Sequence, residues 1–125
     1  MTLSVEALTD RLIAAAVKAG ADAADAVALS GASVSVDVRD GRLEHAERAE
    51  GTDLGLRVLI GRRQAVVSAS DASGNSIGEM AERAVAMARA APEDPYAGLA
   101  DPSELSDIRD AAGLDLDDLS DAPDP

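Results

Sequence analysis

Ser33-Val34-Ser35-Val36-Asp37-Val38-Arg39-Asp40-Gly41 is the stretch on which the fold turns. The three valines alternate with polar residues. In a strand that period of two gathers them on one face and sends Ser35, Asp37 and Arg39 to the other. Asp40-Gly41 follows directly, and a type I′ hairpin turn needs positive φ at both central positions, which Asp-Gly supplies. A returning strand is therefore required. Working outward, Leu54, Leu56, Val58 and Ile60 alternate again, Gly61-Arg62-Arg63 turns the chain, and Ala65, Val67 and Ala69 alternate once more. The economical reading of Ser33–Ser70 is an antiparallel meander with one apolar face.

Upstream, Asp25–Ser30 reads as a strand with Val27 and Leu29 on one side, and Gly31-Ala32 as the turn that follows. Arg42–Glu50 is ambiguous. Leu43, Ala46 and Ala49 have helical spacing, whereas Leu43, His45, Glu47 and Ala49 share one face of a strand. The hairpin signal before it favours a strand, with Gly51 and Gly55 marking a turn or bulge. About five strands are thus expected between residues 25 and 70.

The flanks change period. Val5, Leu8, Leu12, Ala15 and Ala19 recur at three and four, predicting a helix over 4–19 with Ser4 as N-cap and Gly20 just past its end. Ser76 and Glu79 read as a capping box. Ile77, Met80, Ala84, Met87 and Ala91 then predict a core-facing helix over 76–91, stopped by Pro92. Two amphipathic helices and a sheet with one apolar face give an α+β two-layer sandwich, both helices on one side of a mainly antiparallel sheet.

Composition sets limits on function. The chain has 125 residues, no Cys, Trp or Phe, and a single Tyr, so Ala, Val and Leu must build the core. Without Cys there are no disulfides, thiolate metal sites or cysteine nucleophile. The N-terminus shows no signal-peptide pattern and no apolar run is long enough to span a bilayer, so a cytoplasmic protein without membrane contact is expected. The net charge of −13 is unevenly spread. Residues 92–125 hold eleven Asp/Glu and one Arg, a balance of −10, which leaves −3 for residues 1–91. The division expected is an α+β domain over 1–91 and an acidic, irregular, proline-containing linker or tail over 92–125. Neither part offers the basic stripe that phosphate contacts need, so no nucleic-acid partner is expected.

Few residues carry chemistry. His45 is the single histidine, and neither a multi-ligand zinc site nor a helical two-histidine motif can be assembled from it. No nucleophile elbow is present. Ser70–Ser76 precedes a helix but lacks the P-loop lysine and the dinucleotide glycine spacing. Asp115, Asp117 and Asp118 lack the glycine and closing glutamate of a calcium loop. No catalytic, cofactor-binding or metal residue is therefore expected. Arg57, Arg62 and Arg63 cluster around the last turn. They read either as solvated edge charges that discourage aggregation or as a docking surface for an acidic partner.

Asp40-Gly41-Arg42-Leu43-Glu44, Gly55-Leu56-Arg57-Val58, Ser68-Ala69-Ser70-Asp71 and the alanine-rich helix after them resemble the N-terminal domain of the TldD/PmbA family. Asp94-Pro95-Tyr96-Ala97-Gly98-Leu99-Ala100-Asp101-Pro102 is similar to the PmbA (TldE) branch. The resemblance covers roughly residues 5–118. It implies a cytoplasmic protein with an N-terminal α/β domain and a longer C-terminal region. In this family TldD and TldE pair into a zinc metalloprotease that degrades unfolded peptides, matures a microcin precursor and is linked to antitoxin turnover and DNA gyrase inhibitors. The zinc ligands belong to the TldD C-terminal region, in a His-Glu-x-x-x-His motif with a further Cys, and no residue here matches them.

The resemblance therefore implies a non-catalytic domain, a truncated product or an excised piece. Such a domain acts in subunit assembly or substrate access, with a TldD-like subunit or its own missing C-terminal region as partner. The alternative is a stand-alone acidic module that binds a basic partner such as a gyrase subunit or toxin. A third reading is a remnant of a disrupted gene.

Overall fold

The computed structural model describes residues 3–120. The element order is α1 (Val5–Ala19), β1 (Ala23–Arg39), β2 (Arg42–Ile60), β3 (Arg63–Ala69) and α2 (Gly74–Ala90), followed by single 3-10 turns at Pro102–Glu104 and Ala112–Leu114. The three strands form one antiparallel sheet in the order β1-β2-β3. The α+β class is as the sequence predicts, but the strand number is three, not five. Gly31 and Gly51 lie inside β1 and β2 rather than in turns. The reason is conformational. Positive φ is what lets glycine reverse a chain, and neither residue has it; Gly41 (φ 74°) and Gly61 (φ 58°) do. Asp40 (φ 51°) completes the type I′ sign pattern at the first hairpin.

The chain divides into two compact units. The first comprises the residues up to Ser33 together with Arg48–Leu99. Its core lies between one face of the sheet and both helices. Leu54, Leu56 and Val58 of β2 and Val67 of β3 are buried with Leu8, Leu12 and Ala16 of α1. Ile77, Met80, Ala81, Ala84, Val85 and Ala88 of α2 complete the cluster. The β2–β3 register pairs Leu56 with Val67 and Val58 with Ala65, so alternation brings the apolar residues of both strands to the same face. Helix α2 packs on β3 and on α1.

The structure fixes which face of β1 packs inward, and in α2 the sidedness differs from expectation. In β1 it is Ala24, Ala26 and Ala28 that pack against the core, while Val27 and Leu29 are exposed. Alanine methyl groups let the helix layer approach closely; the larger side chains take the other face. In α2 the buried stripe follows Ile77, Met80, Ala81, Ala84, Val85 and Ala88, which leaves Met87 47% exposed rather than in the core.

The helix ends are built locally. Ser4 Oγ accepts from the Ala7 N–H at 3.2 Å, and Gly20 closes α1 in the left-handed region with φ 115°. Helix α2 starts earlier than the Ser76–Glu79 pattern predicts. Its N-cap is Ser73, whose Oγ accepts from the Ser76 N–H at 3.3 Å, while Asp71 Oδ1 accepts from the Ser73 N–H at 2.9 Å. Ser73 can cap because its φ and ψ are extended, and the helical geometry is already established at Gly74.

The second unit comprises Val34–Glu47 and the chain from Ala100 onward. Every described residue in it is exposed. Val34, Val36 and Val38, expected to line a buried face, are 48%, 40% and 63% exposed. Its order is local: the Asp40-Gly41 turn, an Arg39–Glu44 ion pair at 3.5 Å, and a capping box at Asp101–Glu104.

Candidate functional site

The three arginines singled out from the sequence occupy the first unit, and each is held by an acceptor within the chain. Arg57 projects from β2 on the face opposite Leu56 and Val58, because it occupies the alternate position. Its guanidinium makes a bidentate pair with Asp25 of β1, Nε to Oδ1 at 2.9 Å and Nη2 to Oδ2 at 2.7 Å. The Asp25 hydrogen bonds push the Arg57 pKa above its ordinary value, against a smaller lowering by desolvation. The fork geometry fixes orientation as well as charge.

Arg62 and Arg63 sit at the β2–β3 turn and bind backbone carbonyls. Arg63 Nη1 donates to the Arg89 carbonyl at 2.8 Å, placing a cation at the C-terminal end of α2, where the helix leaves carbonyls unpaired and its dipole is negative. Arg62 Nη1 donates to the Ala97 carbonyl at 3.1 Å, and the Asp94 N–H donates to the Arg62 carbonyl at 2.8 Å. Asp94 also organises its own turn, its Oδ1 accepting from the Tyr96 N–H at 2.9 Å and its carbonyl from the Ala97 N–H at 3.1 Å. Ala97 is 4% exposed and Tyr96 is 94% exposed. The Asp94–Gly98 segment is therefore clasped to the turn rather than free, with the tyrosine ring left in solvent.

Asp22 closes the same end of the sheet. Its N–H donates to the Leu59 carbonyl at 2.9 Å and its Oδ2 accepts from the Gly61 N–H at 2.8 Å. Sequence reading missed Asp22 and Asp94 as partners of this turn and Asp25 as the partner of Arg57. Asp94 carried a signal, since Asp followed by Pro marks a turn. For Asp22 and Asp25 only the tertiary pairing reveals the role.

The remaining candidates stay apart. His45 is exposed in β2 and its Nε2 lies 3.8 Å from Glu47 Oε2. Among the described residues no three His, Cys, Asp or Glu side chains are grouped so as to hold a metal ion. No helix among them is long and apolar enough to cross a membrane. Ser70 Oγ donates to Asp53 Oδ1 at 3.1 Å, joining the loop before α2 to β2.

Residues 24–88, from the start of β1 nearly to the end of α2, match the family described as PmbA/TldA metallopeptidase domain 1. The chain is 34% identical over 109 residues to the metalloprotease PmbA homolog of Haemophilus influenzae, covering 82% of this chain and 24% of that protein. In fold it is similar to the crystal structure of a candidate modulator of DNA gyrase from Bacteroides thetaiotaomicron. The TM-score is 0.73 at 21% identity, over 82% of this chain and 23% of that one. The chain thus spans about a quarter of the length of the relatives it matches. Since the family match extends over β1, β2, β3 and most of α2, this chain belongs to the PmbA/TldD family and corresponds to its first domain.

Proposed function

We propose that the chain acts as a non-catalytic scaffold domain of a PmbA-type subunit, serving assembly of a zinc metalloprotease or access of substrate to it. The observation that carries this reading is the match of residues 24–88 to the first domain of a metallopeptidase family. The site chemistry is consistent with it: Arg57, Arg62 and Arg63 tie strands, helix end and connecting segment together. The zinc belongs to a TldD-like partner subunit, and this chain supplies no ligand to it. With zinc and an unfolded peptide, the purified chain is expected to give no cleavage. Chelator-sensitive hydrolysis by the chain alone overturns the reading. Co-purification with a TldD-like subunit, lost on disrupting the Arg62 clasp, is the positive arm.

A second reading is favoured by the chain from Ala100 onward, where Leu105, Ile108, Leu114, Leu116 and Leu119 are exposed among acidic residues. In that reading the segment is a binding element for a basic protein such as a gyrase subunit or toxin. Truncation after Leu99 retains the clasp and tests it. Unchanged binding to the basic partner removes this reading; loss of binding supports it over the scaffold.

A further inference from the structure

Between the helix-covered sheet and the Asp40-Gly41 turn, β1 and β2 pass through a thinly held neck. Ala28 is the last residue of β1 packed against the core, and Leu54 is the first of β2. Residues 30–33 and 48–51, beyond them, are all exposed. Gly31 and Gly51 stand there, one in each strand, and an added Cβ at either would meet open space. An open recess lined by Ser30, Gly31, Ala32, Glu50, Gly51 and Thr52 marks the missing side chains. Cross-strand side-chain pairs stabilise a ladder, and glycine supplies none. Among the described residues the side-chain bonds within the neck run from Arg48 to Glu50, along one strand rather than across the two.

The pairing register also changes along these strands. Directly opposed residues of a ladder point to the same face. The two-residue turn opposes Arg39 and Arg42, an odd-numbered residue to an even one. In the helix-covered sheet, Ala24, Ala26 and Ala28 share the inward face with Leu54, Leu56 and Val58, and Asp25 meets Arg57 on the outward one. There even goes with even and odd with odd. The two registers are compatible only if one strand holds an extra residue, a β-bulge, between Ala28 and Arg39 or between Arg42 and Leu54. Gly31 and Gly51 fall inside those limits, and glycine within a strand often marks a bulge. A bulge leaves one residue unpaired and interrupts the ladder.

We propose that this neck is a hinge on which the ribbon Val34–Glu47 pivots as an intact two-stranded unit. The ladder there lacks side-chain pairs at the glycines, packing from the helix layer and a continuous register. Bending at that point disturbs no buried side chain, because the core cluster draws its β1 and β2 members from the other side of the neck. The ribbon itself keeps the Asp40-Gly41 turn and the Arg39–Glu44 ion pair, so it moves whole rather than unravelling. The reach is considerable. Val38, opposite Leu43, lies seven residues beyond Gly31, about 23 Å along the strand, so each 10° or so of bending moves that pair by about 4 Å. The hinge does not rest on the subunit reading above.

The test measures distances between nitroxide labels by double electron–electron resonance in the full chain, which has no cysteine of its own. Leu43→Cys/Arg83→Cys spans the neck, and Val17→Cys/Val66→Cys lies within the first unit; all four positions are exposed. The spanning pair is expected to give a distribution wider than the internal pair by about 4 Å or more, the displacement that about 10° of bending produces. Gly31→Val/Gly51→Val restores a side chain to each strand and should narrow the spanning distribution to the width of the internal one. The milder Gly31→Ala/Gly51→Ala should narrow it in part. Ser30→Val/Thr52→Val adds apolar bulk to the same neck and keeps both glycines; it should leave the width as it was. Contacts between the α-protons of Val38 and Leu43 and of Val36 and His45, read by NMR, should persist throughout, since non-hydrogen-bonded partners lie about 4.5 Å apart between Cα atoms. Equal widths for the two label pairs overturn the proposal. So does a width that neither glycine variant reduces, or one that Ser30→Val/Thr52→Val reduces equally. Loss of the α-proton contacts in the unsubstituted chain also overturns it, because the width then comes from a melted ribbon.

Discussion

Strand β2 contains two regions with the same backbone and opposite fates. From Leu54 to Ile60 its alternate residues are buried or packed beneath two helices. From Arg42 to Gly51 every residue is exposed. Both stretches alternate, so alternation alone does not decide burial. What decides it is whether an amphipathic partner lies over the apolar face. Helices α1 and α2 supply that layer for Leu54, Leu56 and Val58. The valines of β1 nearest the turn have no such cover among the described residues.

The sharpest break in this comparison is a pair of truncations. Leu56→Ala, at 0% exposure, is expected to cost about 2–5 kcal/mol in chemical denaturation, from lost transfer energy and a residual cavity. Val36→Ala, at 40% exposure, is expected to stay within about 0.5 kcal/mol, as at other surface positions. Equal costs would show that the ribbon Val34–Glu47 contributes to the folding unit as strongly as the helix-covered sheet does.

Glycines give the second contrast. Gly20 has φ 115°, and a Cβ there would stand 2.8 Å from Arg89 Nη2. Gly20→Ala should cost about 1–3 kcal/mol through backbone strain, the flexible arginine yielding more cheaply than the dihedral. Gly31 sits in extended backbone with open space around it. Gly31→Ala should be neutral or stabilise by about 0.4–1 kcal/mol, through lower entropy of the unfolded chain. The measurement is the denaturation midpoint at constant m-value.

These contrasts mark what was legible. The turns at Asp40-Gly41 and Gly61 were readable because local φ demands a specific residue. The helices were readable because Ser4, Gly20 and the 3.6-residue period act within one segment. The continuity of β1 and β2 was not, since Gly31 and Gly51 look like punctuation until their φ is known. Nor was the inward alanine face of β1. Hydrophobicity favours Val27 and Leu29 for the core, and only the close approach of the helix layer explains Ala24, Ala26 and Ala28 there. At the candidate site the arginines were visible and their partners were not, because Asp25 and Ala97 lie thirty-two and thirty-five residues from Arg57 and Arg62.

That long-range clasp gives an intermediate effect. Arg62→Ala removes a charge-assisted bond to the Ala97 carbonyl and is expected to cost about 1.5–3 kcal/mol at most, less where water replaces the guanidinium. Hydrogen exchange should accelerate at Asp94 and Ala97 while the amides of Leu56 and Val58 keep their protection. Uniform acceleration would mean that the segment and the sheet open as one cooperative unit.

The smallest effect belongs to the exposed unit. Asp101 is fully exposed, yet its carboxyl titrates below the ordinary carboxylate range, first because the Ser103 hydroxyl donates to it and then because the Ser103 N–H does. A lowered folded pKa means that the ionised form is the one held. The stabilisation of the Pro102–Glu104 turn is therefore complete above the unfolded pKa and disappears as pH falls through the lower folded value. An NMR titration should give Asp101 a midpoint below that of an unstructured aspartate, and Ser103→Ala should move it upward. The global denaturation midpoint should not follow this titration, since no buried residue belongs to the turn. If it does follow, the acidic segment is energetically coupled to the core, and the contrast between covered and uncovered regions is one of degree.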